Sequence, residues 1–314
     1  MIEPATMDTR SGTVQPAFTA RQISLLRWAG AASVATAVTL IGLKLWAWQL
    51  TDSVAMLSSL ADSFLDLIAS LITFFAVRVA VTPADREHRF GHGKSEGIAS
   101  LAQAIIVTGS ALFVAVRAIA RLLAPTQIME PGIGSAVMIV SFALTIALVA
   151  FQRYVVRSTG SLAIGADAMH YQADILAAFV VLAALFLNHR FAWYAADPVL
   201  GLVIVGLILA SVRKITMEAL DVLLDRELPT KVRHEIVAIA SRHPAVLGVH
   251  DIRTRSAGST QFIQLHLELD PKLSLKNVHE ISSEVELQVQ ASFPKAEILI
   301  HADPYGFPEA RDNF

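Results

Sequence analysis

Six stretches of this chain stay apolar for roughly 20 residues or more, the length a helix needs to cross a bilayer. They run from about Ile23 to Leu50, Val54 to Val81, Gly97 to Leu123, Gly132 to Val156, Leu162 to Leu187 and Pro198 to Ile215, the last extending toward Leu220. Few folds accept such a pattern. Lipid offers backbone amides no hydrogen-bond partners, so only helices and closed barrels cross it. Composition agrees: of 314 residues, 54% are hydrophobic and 17% charged, against about 25% charged in soluble domains. The net charge of -2 argues against a nucleic-acid partner. The absence of cysteine removes disulfides and thiolate metal ligands together.

Loop charges give an orientation. Arg10, Arg21 and Arg27 precede or open the first segment, Arg78, Arg86, Arg89 and Lys94 surround the second connection, Arg153 and Arg157 the fourth, and Arg213 and Lys214 close the sixth segment. The first connection, around Thr51, has neither Lys nor Arg, and the third and fifth offer mainly Arg121 and Arg190. Both termini are therefore expected in the cytoplasm. The organisation expected is a flexible tail over 1–21, a six-helix transmembrane domain over 22–220, a cytoplasmic domain over 221–305 and a short tail over 306–314.

The cytoplasmic part reads as α+β in the order αββαβ. Thr230 to Arg242 has helical spacing, Val249 to Ser256 reads as a strand, and Ala257-Gly258-Ser259 as a turn. Gln261 to Leu269 alternates, with Ile263, Leu265, Leu267 and Leu269 on one face and His266 on the other. Ser274 opens a second helix running to about Ser292, and Glu297 to His301 is the last strand.

Titratable residues inside a membrane segment cost about 2.5–3.5 kcal/mol each on insertion scales and mark function. Asp62 and Asp66 lie in the second segment, His170 and Asp174 in the fifth. Each pair has i,i+4 spacing and so shares one helical face. Three carboxylates and one imidazole carry too much negative charge to satisfy one another as an ion-pair cluster. They suit a divalent cation, zinc first, with Fe(II), Mn(II), Co(II) and Cd(II) open by ligand type. The same groups bind protons that metal displaces. A site open alternately to each side would then exchange metal for protons. Two other classes are compatible with a membrane metal protein: a sensor that does not transport, and a metalloenzyme. The latter lacks its motif, since His234-Glu235 and His279-Glu280 have no second His four residues after the first.

Two further groups stand outside the apolar segments. Asp85, His88 and His92, spaced by three and four, fit one metal in the loop after the second segment. His250, His266, His279 and His301 with Asp303 suggest a two-metal site in the cytoplasmic domain, the carboxylate able to bridge.

The strings Ala61-Asp62-Ser63-Phe64-Leu65-Asp66, Phe90-Gly91-His92-Gly93-Lys94, His170-Tyr171-Gln172-Ala173-Asp174, Leu223-Leu224-Asp225-Arg226 and His250-Asp251-Ile252-Arg253-Thr254-Arg255 resemble the hallmark segments of the cation diffusion facilitators, bacterial zinc/iron efflux type, over about Arg21 to Tyr305. The resemblance implies a homodimeric metal/proton antiporter of the bacterial inner membrane, not an enzyme. Zn2+, with Fe2+, Cd2+ or Mn2+ as alternatives, would be both substrate and regulatory ligand. It also implies transport ligands at Asp62, Asp66, His170 and Asp174, a second metal at Asp85, His88 and His92, and a third site at His250, His266, His279, His301 and Asp303. Lys94 and Asp225 resemble the family's charge pair at the dimer interface. Zinc-type relatives can carry Gln and Cys where Ala302 and Tyr305 stand, so an auxiliary contact of that third site is missing.

Overall fold

The computed structural model describes residues 18–51, 54–123, 134–191 and 195–307. Expectations for the two tails beyond these bounds lie outside the described residues. The chain divides into two compact units, Phe18–Leu224 and the part beginning at Asp225.

The first unit is all helix: α1 (Ala20–Thr51), α2 (Val54–Ala80), α3 (Ser95–Leu123), α4 (Gly134–Thr159), α5 (Leu162–Phe191) and α6 (Ala196–Leu223). At 1.5 Å per residue each exceeds the roughly 30 Å of a hydrocarbon core. Five of them are apolar enough to span by composition. The sixth, α5, is 30 residues long and carries Asp167, His170 and Asp174. The helix runs on through Asn188, His189 and Arg190 to Phe191, and α6 continues to Leu223, each past the expected end.

Polarity in this unit is reversed relative to a soluble protein. Ile105, Phe113, Ile139 and Phe179 face outward, while Ser33, Ser70, Thr73, Gln103, Gln152 and Asp167 are buried. Lipid tails are as apolar as leucine, so helices here associate through small residues and hydrogen bonds instead. Ala29, Ala37, Ala69, Ala163 and Ala166 are fully buried. Gly30 shows why: a Cβ there would sit 3.2 Å from the Phe74 Cα of α2.

Asp167 is the hub of the buried hydrogen bonds. Its Oδ2 accepts from Ser33 Oγ of α1 and Gln152 Nε2 of α4, each at 2.6 Å, and Oδ1 accepts from Gln103 Nε2 of α3 at 3.2 Å. Ser33 and Ser70 hydroxyls meet at 2.8 Å, as do Ser70 and Tyr171. Five helices thus converge around one carboxylate. Glu96, at the start of α3, is buried against the start of α5, where its oxygens accept from Ser161 Oγ at 2.8 Å and Leu162 N at 2.9 Å. It meets the otherwise unpaired N–H groups of a helix N-terminus, and it seats the helix carrying His170.

The second unit has the order αββαβ: α7 (Thr230–Ala240), β1 (Gly248–Ala257), β2 (Thr260–Leu269), α8 (Leu275–Ser292) and β3 (Ala296–Pro304). The strands are ordered β1-β2-β3, antiparallel in the first pair and parallel in the second. The parallel pair needs a crossover, which α8 provides. Ser274 caps α8 by accepting from Asn277 N. Ile263, Leu265, Leu267 and Leu269 of β2 are buried against Ile236 and Ile239 of α7 and Val285 and Val289 of α8. The helices cover one sheet face, and the period of two sends the alternate residues of β2 to the other. The turn joining β1 and β2 uses Gly258 at φ 63, the left-handed region glycine tolerates.

Candidate metal centres

Inside the helical unit, α2 and α5 touch. Asp66, His170 and Asp174 there each offer one ligand atom, all within 4.8 Å of one another. His170 is 4% exposed, and its Nε2 lies 2.9 Å from Asp66 Oδ1. That contact needs a proton on one partner, and a metal ion bound between them would take its place. Asp62 lies one turn before Asp66, exposed and outside the gathered three. Lys44 of α1 has no counterpart in the expected site. Its Nζ donates to Ser63 Oγ at 2.7 Å and to the Ser59 carbonyl at 3.1 Å.

The loop between α2 and α3 gathers Asp85, His88 and His92. Asp85 Oδ1 accepts from the backbone N–H groups of His88 at 2.6 Å and Glu87 at 2.9 Å. The His88 N–H above all holds this carboxyl below its ordinary value, although burial opposes it. Asp85 Oδ1 is 3.3 Å from His88 Nδ1, and Oδ2 is 3.4 Å from His92 Nε2. Gly91, at φ 78, turns the chain between the two histidines and α3.

In the second unit, strand register brings the ligands together. His250 stands opposite His266, and His266 opposite His301. Neighbouring rings lie 5.3 and 4.6 Å apart between centroids. Asp303 divides its oxygens among them. Oδ2 lies 2.6 Å from His266 Nδ1 and 3.4 Å from His250 Nε2, while Oδ1 lies 3.0 Å from His301 Nε2. A carboxylate placed so can bridge two ions. Burial pushes the Asp303 carboxyl up, but the His266 hydrogen bond and the charges of His266, His301 and His250 outweigh it, leaving the group below its ordinary value. His266 is nearly buried beneath its partners. His279 is on an exposed face of α8, outside the gathered group within one chain.

Two carboxylates outside the expected ligand set approach the same histidines. Glu268 Oε1 lies 3.3 Å from His250 Nδ1, and Asp251 Oδ2 lies 3.6 Å from His266 Nε2. Such outer partners orient imidazoles. Asp251 reaches its place through a β-bulge between His250 and Arg253, at φ 43. Elsewhere, Lys94 Nζ donates to the Leu223 carbonyl at 3.4 Å, and Asp225 pairs with Arg255 at 3.2 Å. His243 follows α7 and meets Glu284 of α8 at 3.0 Å.

An apolar bundle with a metal-ligand group inside, followed by a metal-ligand group on a small sheet, is the make-up of a membrane protein that handles metal cations. The family model for the cation efflux transmembrane domain matches residues 31–224, and that for the cation efflux protein cytoplasmic domain matches residues 228–305. The chain belongs to the cation efflux family, the cation diffusion facilitators. It is 43% identical over 280 residues to the cation-efflux pump FieF of Salmonella arizonae, covering 89% of this chain and 93% of that one. The figures for FieF of Salmonella newport are the same. Among solved structures it is similar to the metal-bound C-terminal domain of the CzcD transporter from Thermotoga maritima, at 30% identity and TM-score 0.24, covering 25% of this chain and 93% of that one. Membership makes this a multi-pass membrane transporter of metal cations with a dimer-forming type of cytoplasmic domain. It sets aside the metalloenzyme and the non-transporting sensor.

Proposed function

We propose that this chain exports Zn2+, and by the same ligand set Fe2+, Cd2+ or Mn2+, from the cytoplasm in exchange for protons. The observation that carries the reading is the gathering of Asp66, His170 and Asp174 inside an apolar bundle. Asp62, one turn away on the same helix, completes the four-ligand shell. Metal enters from the cytoplasm and displaces the proton between His170 and Asp66. The bundle then opens outward, protons return to the ligands, and the metal leaves. A drier interior strengthens ligand–ion attraction, so release depends on that proton competition.

The working form is a homodimer in a bacterial inner membrane, with both termini cytoplasmic and Lys94 and Asp225 as a charge pair at its interface. Residues 22–220 carry the cargo. Residues 221–305 bind metal through His250, His266, His301 and Asp303, with His279 offered outward, and report its cytoplasmic level. Asp85, His88 and His92 hold a further ion in the loop.

The test is flux by the full-length protein in proteoliposomes, with a zinc dye and a pH dye read together. Zinc movement with opposite proton movement is expected. Zinc flux with no proton response sinks the exchange. In the same vesicles, His170→Asp replaces the nitrogen ligand by oxygen and shifts preference from Zn2+ toward Mn2+. An unchanged preference removes the imidazole from metal selection.

A further inference from the structure

Lys44 is a cation inside a lipid-spanning helix, two turns before its C-terminal end, half-buried, and its ammonium points toward α2. The residue that takes its shortest bond, Ser63, adjoins Asp62 and precedes Asp66 by three residues. Ser63 lies between Asp62 and Asp66 on α2, so the ammonium is seated beside the carboxylates that, with Asp174, make up the proposed transport site. An intramembrane lysine serving only as a strap between α1 and α2 would have no need of this neighbourhood. Serine hydroxyls on both helices would suffice, as they do at Ser33 and Ser70.

Charge arithmetic gives the lysine a task. Three ionised carboxylates and one ammonium leave two negative charges in excess, and a single divalent ion cancels them. Without the ammonium, the loaded site would keep one net negative charge in low-dielectric surroundings, where uncompensated charge is costly and attraction to a cation is strong. We infer that Lys44 is the built-in counter-cation of the transport site, which makes the site electrically neutral when it holds one divalent ion and so keeps the ion releasable. The serines tether the ammonium beside the ligands without letting it bond to one.

This inference rests on the proposed transport reading, and the experiment separates the two. Zn2+ flux is measured in proteoliposomes with the unaltered full-length chain, Asp174→Ala, Lys44→Gln and Lys44→Arg. Lys44→Gln keeps a hydrogen-bond donor and loses the charge. Its KM for Zn2+ is expected to fall about tenfold and its kcat to fall with it, because the ion binds tighter and leaves more slowly. Lys44→Arg keeps the charge, and its KM stays within about threefold of the unaltered chain. Lys44→Met, close to lysine in length, gives the same reading should the glutamine variant not fold. A KM that is unchanged or raised on loss of the charge overturns the role of Lys44. Absence of flux from the unaltered chain, or full flux from Asp174→Ala, overturns the transport reading instead.

Discussion

The bundle site and the sheet site use similar ligands on opposite supports. In the bundle, Asp66, His170 and Asp174 come from two helices, and Asp62 stands apart from them. On the sheet, His250, His266 and His301 are lined up by backbone register across three strands, with Asp303 touching all three. Outer carboxylates, Glu268 and Asp251, brace two of those histidines. Helices can slide or tilt relative to one another, whereas a register shift in a sheet would turn every side chain to the wrong face. The first support suits an ion that must be taken up and let go, the second an ion that is held and reported.

The largest effect on stability is expected in the bundle. Asp167→Ala leaves Ser33, Gln152 and Gln103 without their common acceptor. A loss of about 3 kcal/mol or more follows from stranding buried donors that pair with a charged group. Thermal melting of the full chain in detergent checks it, and an unchanged melting temperature would make the hub dispensable. A smaller effect belongs to the sheet. Asp303→Asn weakens the charge-assisted bond to His266, worth about 1.5–3 kcal/mol at most. Its pH dependence has a definite sign. A carboxyl whose folded pKa lies below its unfolded value contributes stability above the unfolded value, about pH 4. That contribution is lost as pH falls through the folded pKa. Melting curves of the metal-free chain and the variant should therefore differ at pH 7 and converge below about pH 4. Curves that converge on raising the pH contradict the assignment.

Most of the fold is legible from periodicity. Six apolar runs become α1 to α6, and the alternation of Ile263, Leu265, Leu267 and Leu269 becomes the buried face of β2. The i,i+4 spacing announces His170 and Asp174 as neighbours, because that spacing is local, whereas the same spacing pairs Asp66 with Asp62, which lies outside the gathered three. Asp167, Glu96 and Lys44 are not announced in the same way. Their partners come from other helices, as with Gln103, Ser161 and Ser63. One signal was available for Asp167 and Lys44: each is a charged residue inside an apolar run, and such residues require a partner. Asp251 gave none, since its approach to His266 depends on a bulge that only strand pairing reveals.

On the proposed function, metal crosses at the bundle site while the sheet site only holds it. Zn2+ flux at saturating metal, measured in proteoliposomes with Asp174→Ala beside Asp303→Asn, tests this most directly. The account predicts that Asp174→Ala loses flux by on the order of 100-fold or more, while Asp303→Asn keeps at least about a third of it. Full flux from Asp174→Ala, or an equal collapse in both variants, would contradict the division of labour between the two sites.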